Sequence, residues 1–398
     1  MALQSINIGS SANDGTGSTL RAAFDICNDN FTELYGGTTS ALGFKSEGTN
    51  FAGSLLIGHS TTGTISSALG NTGVGIAALN ALTSGDYNVA VGNEAGGAIT
   101  SGERNVLMGY AAGDAITTGD HNTAVGHGAL SAEDTHGYNV AIGYKALNVQ
   151  NAGANAYNVA MGYEAGKSIS TGVQNTIIGG LAGDALTTGN YNIAIGHTAL
   201  STEDTGHKSV AIGHQALLNQ NYDGDAFNTA VGHNVGAAIT TGIRSTIIGA
   251  LAGDAITTGS YNTVLGSHAL SAQTTGGSNT ALGYAALNAL NHTDATQGFN
   301  VAVGHEAGAV MTTGTQNTLI GGLAGDALTT GSNNVALGYE ALSTEDGHGR
   351  NVAIGHNALK VQDAGADAYN VSVGYSAGAA VTTGVQNIII GGDAGISM

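Results

Sequence analysis

From Asn71 onward, apolar and polar positions alternate in one short unit that is written nineteen times. Asn opens each unit, with Ser in its place only at 209 and 245. Positions two and four are Val, Ile, Leu, Met or Thr almost throughout, and position five is Gly in every unit from Gly75 to Gly391. NTAVGHGALS at Asn122, NVAIGYKALN at Asn139 and NTIIGGLAGD at Asn175 show the pattern. Large residues two apart predict a period-2 strand of about four residues. A Gly that never varies predicts a tight bend, by a positive φ or by close approach of another backbone. With a basic period of 17 residues, each unit becomes one coil of a parallel β-solenoid, and Asn side chains stack from coil to coil. The expected fold class is therefore all-β, a β-solenoid of nineteen coils over 71–398.

A longer period overlies the short one. Unit spacings of 17, 19, 17 and 17 from Asn122 make a 70-residue super-repeat that recurs at Asn192; from Asn262 the 19 becomes 21. The extra residues always fall in the second unit, at 148–157, 218–227, 288–299 and 360–369. Insertions at one angular position map to loops on one face. The third and sixth positions also trade size: Ala141 goes with Tyr144 and Ala194 with His197, but Ile177 with Gly180 and Leu319 with Gly322. Such compensation predicts that both fill one packed space, placed here at a subunit interface. The interface residues are then Tyr144, Tyr163, His197, His214, His233, Tyr284, His305, Tyr339, His356 and Tyr375. His197, His214 and His233, in consecutive coils, should stack about 5 Å apart.

Composition narrows the functional classes. The 398 residues include 66 Gly, no Pro and only 9% charged residues, which suits closely stacked coils rather than one large core. A formal net charge of −19 argues against nucleic-acid binding. Cys27 is the one cysteine, so an intrachain disulfide is excluded. No apolar run reaches about 18 residues, so no membrane insertion is expected. No basic-then-apolar leader is visible, which places synthesis in a cytoplasm. No motif of catalytic spacing interrupts the repeat, and no enzyme activity is expected.

Residues 1–36 stand apart from the repeat, and 37–70 form a Gly/Ser/Thr-rich transition with a partial coil at Asn50 to His59 (NFAGSLLIGH). Asp14-Gly15 followed by Gly17 is turn chemistry, and Ser18 or Thr19 can cap a helix. Leu20, Phe24, Cys27, Phe31 and Leu34 then make one apolar stripe. A helix of that length needs a partner surface to be stable.

The units NVAIGY, NIAIGH and NVAVGH resemble the head repeats of trimeric autotransporter adhesins, which form left-handed parallel β-rolls associating as trimers. They resemble still more closely the NTAVGxxAL arrays of bacteriophage tail fibres, over 71–398. SINIGSSANDGTGSTLRAAFDICNDNFTELY (5–35) resembles the N-terminal segment of phage baseplate and tail-fibre proteins: an INIG strand, a DGTG turn and a helix ending NxNFxELY. The resemblance rests on Ile6, Ile8, Asp14, Gly15, Gly17, Leu20, Phe24, Asn28, Asn30, Phe31, Leu34 and Tyr35, and implies a strand-turn-helix that attaches to the virion. It further implies a homotrimer located in the virion and made in the host cytoplasm, with a phage baseplate or tail protein as partner. The adhesins' membrane anchor and secretion signal have no counterpart here. The chain stops mid-coil, so a separate tip, adhesin or chaperone is expected at the C-terminus to cover the open edge.

Three stretches gather acids with His: Glu133, Asp134 and His136; Glu203, Asp204 and His207; Glu345, Asp346 and His348. The following loops add Asp223 and Asp225 to the second, and Asp363 and Asp367 to the third. Carboxylate oxygens from adjacent loops can hold Ca²⁺, although a solvated acidic loop that keeps a rod soluble is the plainer reading. Because these loops vary while the scaffold repeats, they are also the expected contacts with a host cell-surface receptor. The function these features predict is a structural virion protein, a trimeric tail fibre or baseplate-attached appendage taking part in host adhesion. Two alternatives stay open: a cellular trimeric adhesin head, and a glycan-degrading tailspike.

Overall fold

A computed structural model of the chain describes residues 44–46, 53–58 and 66–397. The virion-attachment residues from Ile6 to Tyr35 lie outside the described residues. The chain divides into two compact units between Ala156 and Tyr157. In the first, β1 (Phe44–Ser46) pairs antiparallel with β2 (Leu55–Ile57). From β2 the order is parallel: β3 (Thr72–Val74), β4 (Val89–Val91), β5 (Val106–Met108), β6 (Thr123–Val125) and β7 (Val140–Ile142). In the second, fourteen parallel strands run from β8 (Val159–Met161) to β21 (Ile388–Ile390), each paired with the next without a register shift. With the five coils from Asn71 to Asn139, fourteen more from Asn158 give the nineteen read from the repeat. The described residues contain no helix.

Each strand is three residues long and covers positions two to four. The third residue points inward: Ala194, Ala211, Ala230, Ile177 and Leu319 are fully buried. Positions two and four lie on the outer face, where Val106, Met108, Leu265 and Leu337 remain exposed.

The Asn prediction is met with a specific geometry. In most coils the backbone N–H of the opening residue donates to the side-chain oxygen of its counterpart one coil earlier, as in Asn175 to Asn158 (2.8 Å), Asn192 to Asn175 (2.9 Å) and Ser209 to Asn192 (3.0 Å). The Asn Nδ2 then donates to a carbonyl fourteen residues on, Asn175 to Gly189 at 2.8 Å. Most of this buried polar row is thereby satisfied on both its donor and acceptor sides, Asn351 Nδ2 being an exception with no partner. Asn71 N–H donates in the same manner to Ser54 Oγ (2.8 Å), so the partial coil begins at Ser54 rather than at Asn50.

The fifth-position Gly meets both conditions anticipated for it. Gly179 has φ +133°, and a Cβ there would lie 2.5 Å from the Gly196 carbonyl oxygen of the next coil. Non-Gly residues also adopt positive φ at regular corners, among them Thr198 (φ 52°), Leu200 (φ 53°) and Tyr191 (φ 61°). Stacking on the coils above and below outweighs the local cost of these corners.

The size trade of positions three and six does not describe a shared space. The third residue is sealed inside the coil, whereas sixth residues such as Tyr163 and Tyr375 are exposed. The interior partner of position three is position nine. A Cβ on Gly183 would lie 3.1 Å from Ile177 Cδ1, and one on Gly325 would lie 2.9 Å from Leu319 Cδ2. Where position three is Ala, as in Ala194 or Ala281, position nine can be Leu, as in Leu200 and Leu287. Position twelve completes the interior: Ile169, Leu186 and Ile256 follow a Gly at nine, while Glu203, Gln220 and Gln273 follow a Leu. The third and sixth residues covary because each coil type fixes both, not because they touch.

Candidate functional site

The sixth-position side chains form exposed ring ladders on the outer surface. In the first unit Tyr110, His127 and Tyr144 stack with centroids 5.0 and 5.3 Å apart. In the second, His197, His214 and His233 stack at 5.5 and 5.1 Å, matching the expected spacing. Tyr284 and His305 lie 5.3 Å apart, and Tyr339, His356 and Tyr375 follow at 5.5 and 5.2 Å. The one-coil rise sets these distances, since parallel in-register strands place equivalent side chains one strand spacing apart. The aliphatic residues of positions two and four precede these rings along each coil and lie on the sheet's outer face.

A second exposed row escaped the sequence reading. It is the residue just before each opening Asn, including Tyr87, Arg104, Tyr191, Lys208, Phe227, Arg244, Tyr261, Arg350 and Tyr369. Its cations sit over the neighbouring coil's ring: Arg104 over Tyr87 at 5.7 Å, Lys208 over Phe227 at 5.1 Å, Arg244 over Tyr261 at 5.8 Å, and Arg350 over Tyr369 at 5.3 Å. Four of the chain's nine Lys and Arg are used here, and the signal was the same 17-residue period one place earlier.

The acidic loops divide in a way the sequence did not indicate. Glu133, Glu203 and Glu345 occupy position twelve and are wholly buried, so they do not present themselves to a receptor. They take the place that Ile169 and Leu186 fill in other coils, and burial raises the pKa of all three above the usual glutamate range. Around Glu203 the donors are complete: Gly206 N–H reaches Oε1 at 2.8 Å, and Gln220 Nε2 and Tyr222 N–H reach Oε2 at 3.0 and 3.3 Å. Glu133 and Glu345 accept on Oε1 from the backbone N–H of His136 and His348, both at 3.1 Å, and their buried Oε2 atoms receive no hydrogen bond.

The partners of these acids lie nearer the surface. Asp134, His136, Asp204, His207 and His348 are half-buried, and Asp346, Asp223, Asp225, Asp363 and Asp367 are exposed. The structure brings together Glu345, Asp346, His348 and Asp363, and separately Glu133, Asp134 and His136, with one ligand atom of each within 4.8 Å of the others. The third expected cluster does not assemble. His207 Nδ1 accepts instead from Asn190 N–H at 2.9 Å, Asp223 accepts from Thr205 Oγ1, and Asp225 pairs with Lys208 at 2.7 Å. Asp367 is held by Arg350.

Glu94 and Asp114, from consecutive coils, line one open depression with Asn80. Burial, and secondarily the charge of Glu94, raises the pKa of Asp114. No family model, curated protein or solved structure matches this chain.

Proposed function

We propose that the chain is the shaft of a trimeric tail fibre or baseplate-attached appendage, a structural and non-catalytic virion protein that takes part in host adhesion. One observation carries the assembly part of this reading: the outer sheet face. Its positions two and four carry Val, Ile, Leu, Met or Thr, half-buried in most coils and exposed at Val106, Met108, Met161, Ile248, Leu265 and Leu337, with the Tyr and His ladders on the same surface. Exposed aliphatic side chains recurring beside ring ladders favour a protein interface. Packing the ladders against neighbouring copies makes Tyr144, Tyr163, His197, His214, His233, Tyr284, His305, Tyr339, His356 and Tyr375 interface residues. The virion part rests on the resemblance of residues 5–35 to tail and baseplate attachment segments. The exposed loop acids, Asp223, Asp225, Asp363 and Asp367, together with Asp134, Asp204 and the three loop His, remain the surface offered to a receptor.

The test is immunogold labelling of purified phage particles with antibody raised against residues 71–398, combined with the solution mass of the chain. Label on fibres projecting from the tail and a trimeric mass are expected. Label confined to a bacterial envelope selects the adhesin-head alternative, and a monomer at all concentrations overturns the assembly. The tailspike alternative draws on the Glu94 and Asp114 pair. Its measurement is the chain length of host polysaccharide after incubation, which stays unchanged on the leading reading.

A further inference from the structure

Three glycines of the sixth row have no reason inside their own chain. Gly180, Gly322 and Gly392 do not adopt a positive φ. A Cβ would stand 3.7 Å from the nearest atom at Gly180, 3.5 Å at Gly322, and would meet nothing within 4 Å at Gly392. These are ordinary contacts, and Ala250 already carries the methyl at the same position. Each such residue leaves a rung out of the ring ladder: Gly180 lies between Tyr163 and His197, and Gly322 between His305 and Tyr339. Rungs are one strand spacing apart, so each gap is about 10 Å between the flanking rungs and takes one planar group.

The row just before the opening Asn changes at these same coils. Gln stands there at Gln174, Gln316 and Gln386, which are the three coils with Gly at position six, and Arg244 opens the coil of Ala250. The three Gln side chains are exposed and make no hydrogen bond among the described residues. Arg244 is the one Lys or Arg of its row without a carboxylate among the described residues, since Arg104, Lys208 and Arg350 pair with Glu103, Asp225 and Asp367. Within a coil the Asn, the strand and the Gly bend separate the two rows. The three strand residues alone span about 10 Å, so a Gln cannot fill the gap of its own chain.

We infer that the gaps are sockets for a second copy of this chain: Gln174 of one copy enters beside Gly180 of the next, Arg244 beside Ala250, and Gln316 beside Gly322. The inference rests on the trimeric reading above and adds which edge of the outer face meets which. Rotation about a threefold axis along the stack brings two different patches together and leaves height along the stack unchanged. The row before Asn therefore meets the sixth row of the neighbouring copy at the same coil. There a planar amide or guanidinium takes the place of the missing rung and stacks between two rings. The area is sufficient. Fourteen coils of the second unit, about 4.8 Å each, with an outer face about 16 Å wide, offer roughly 1,000 Å² per copy, against about 800 Å² per partner in a standard interface. A slip of one coil sets each Gln against a ring and leaves each gap empty, so the sockets also fix the register of the copies.

The test is thiol cross-linking of the full chain with a short bis-maleimide, read on denaturing gels beside the mass of the same protein in solution. The chain carries Cys27→Ser, Gln174→Cys and Gly180→Cys. Other coils already hold Ala, Ser, Tyr or His at the sixth position and Ser, Tyr, Lys or Phe before the Asn, and unaltered circular dichroism confirms that the coils remain folded. Thiols on opposite edges join three chains into a ring, so the pair should run as a covalent trimer. Gln174→Cys alone, Gly180→Cys alone, and Gln174→Cys with Gly322→Cys at another level should stay at the monomer band. A trimeric mass with no covalent trimer from the pair overturns the inference and leaves the trimeric reading standing. A covalent dimer from either single shows that like edges meet, and also overturns it. A monomeric mass removes the trimeric reading and the inference with it.

Discussion

The pairing of positions three and nine can be tested by converting one coil type into another. Ile177 is fully buried, so Ile177→Ala alone removes packed methyl and methylene groups and costs about 2–5 kcal/mol. Gly183→Leu alone meets the opposite problem. Its Cβ would already stand 2.9 Å from Leu186 Cδ1 and 3.1 Å from Ile177 Cδ1, which makes overpacking of about 1–3 kcal/mol. Its φ of +49° adds a further cost of about 1–2 kcal/mol. Combined, the two substitutions recreate the Ala, Leu, Leu interior that Ala281, Leu287 and Leu290 form natively, all fully buried. The new Leu then fills the space the Ile vacated, and only the backbone term remains. The singles together should therefore exceed the double by the lost packing plus the overpacking, a coupling of at least about 3 kcal/mol. Because long repeat arrays need not unfold in one step, the measurement is native-state amide exchange of the segment around 170–200, supported by thermal melting. Strictly additive costs would refute the claim that these positions share one interior volume.

Three further outcomes follow from the same architecture. Gly179→Ala should lower stability by about 2–4 kcal/mol, because the new Cβ meets the Gly196 oxygen at 2.5 Å while φ is +133°; a melting temperature unchanged from wild type would contradict the close approach. Asn192→Ala orphans the buried Ser209 N–H and Gly206 carbonyl, and should cost about 2–5 kcal/mol in denaturant unfolding, against near-neutrality for an ornamental ladder. For Glu203 the folded pKa is raised, chiefly by burial, so its contribution to stability is fully present below the ordinary glutamate pKa and is lost as pH rises through the folded value. The melting temperature of wild type relative to Glu203→Gln should therefore fall as pH rises above the ordinary glutamate pKa of about 4.3, and a relative rise would reverse the sign of the argument.

Periodicity alone determined the coil count, the parallel stacking, the stacked Asn row, the bend at every fifth-position Gly and the spacing of the His197, His214 and His233 rings. These are local consequences of a 17-residue repeat: once one coil closes, its neighbours repeat it one strand spacing away. The inside and the outside of the coil were decided by the tertiary structure. Three-residue strands turn the third residue inward, be it Ala, Ile or Leu, and leave the second and fourth outside, because the interior holds only what positions three, nine and twelve together can fill. That same closure draws Glu133, Glu203 and Glu345 out of the loops to which their sequence neighbours belong and into the core. It also decides whether the His beside each Glu reaches the carboxylate. At His136 and His348 it does; at His207, one position later in the coil, the ring turns to a backbone N–H instead. A spacing can gather acids and imidazoles into one stretch of chain, but only the path of the backbone around the coil sets which of their atoms meet.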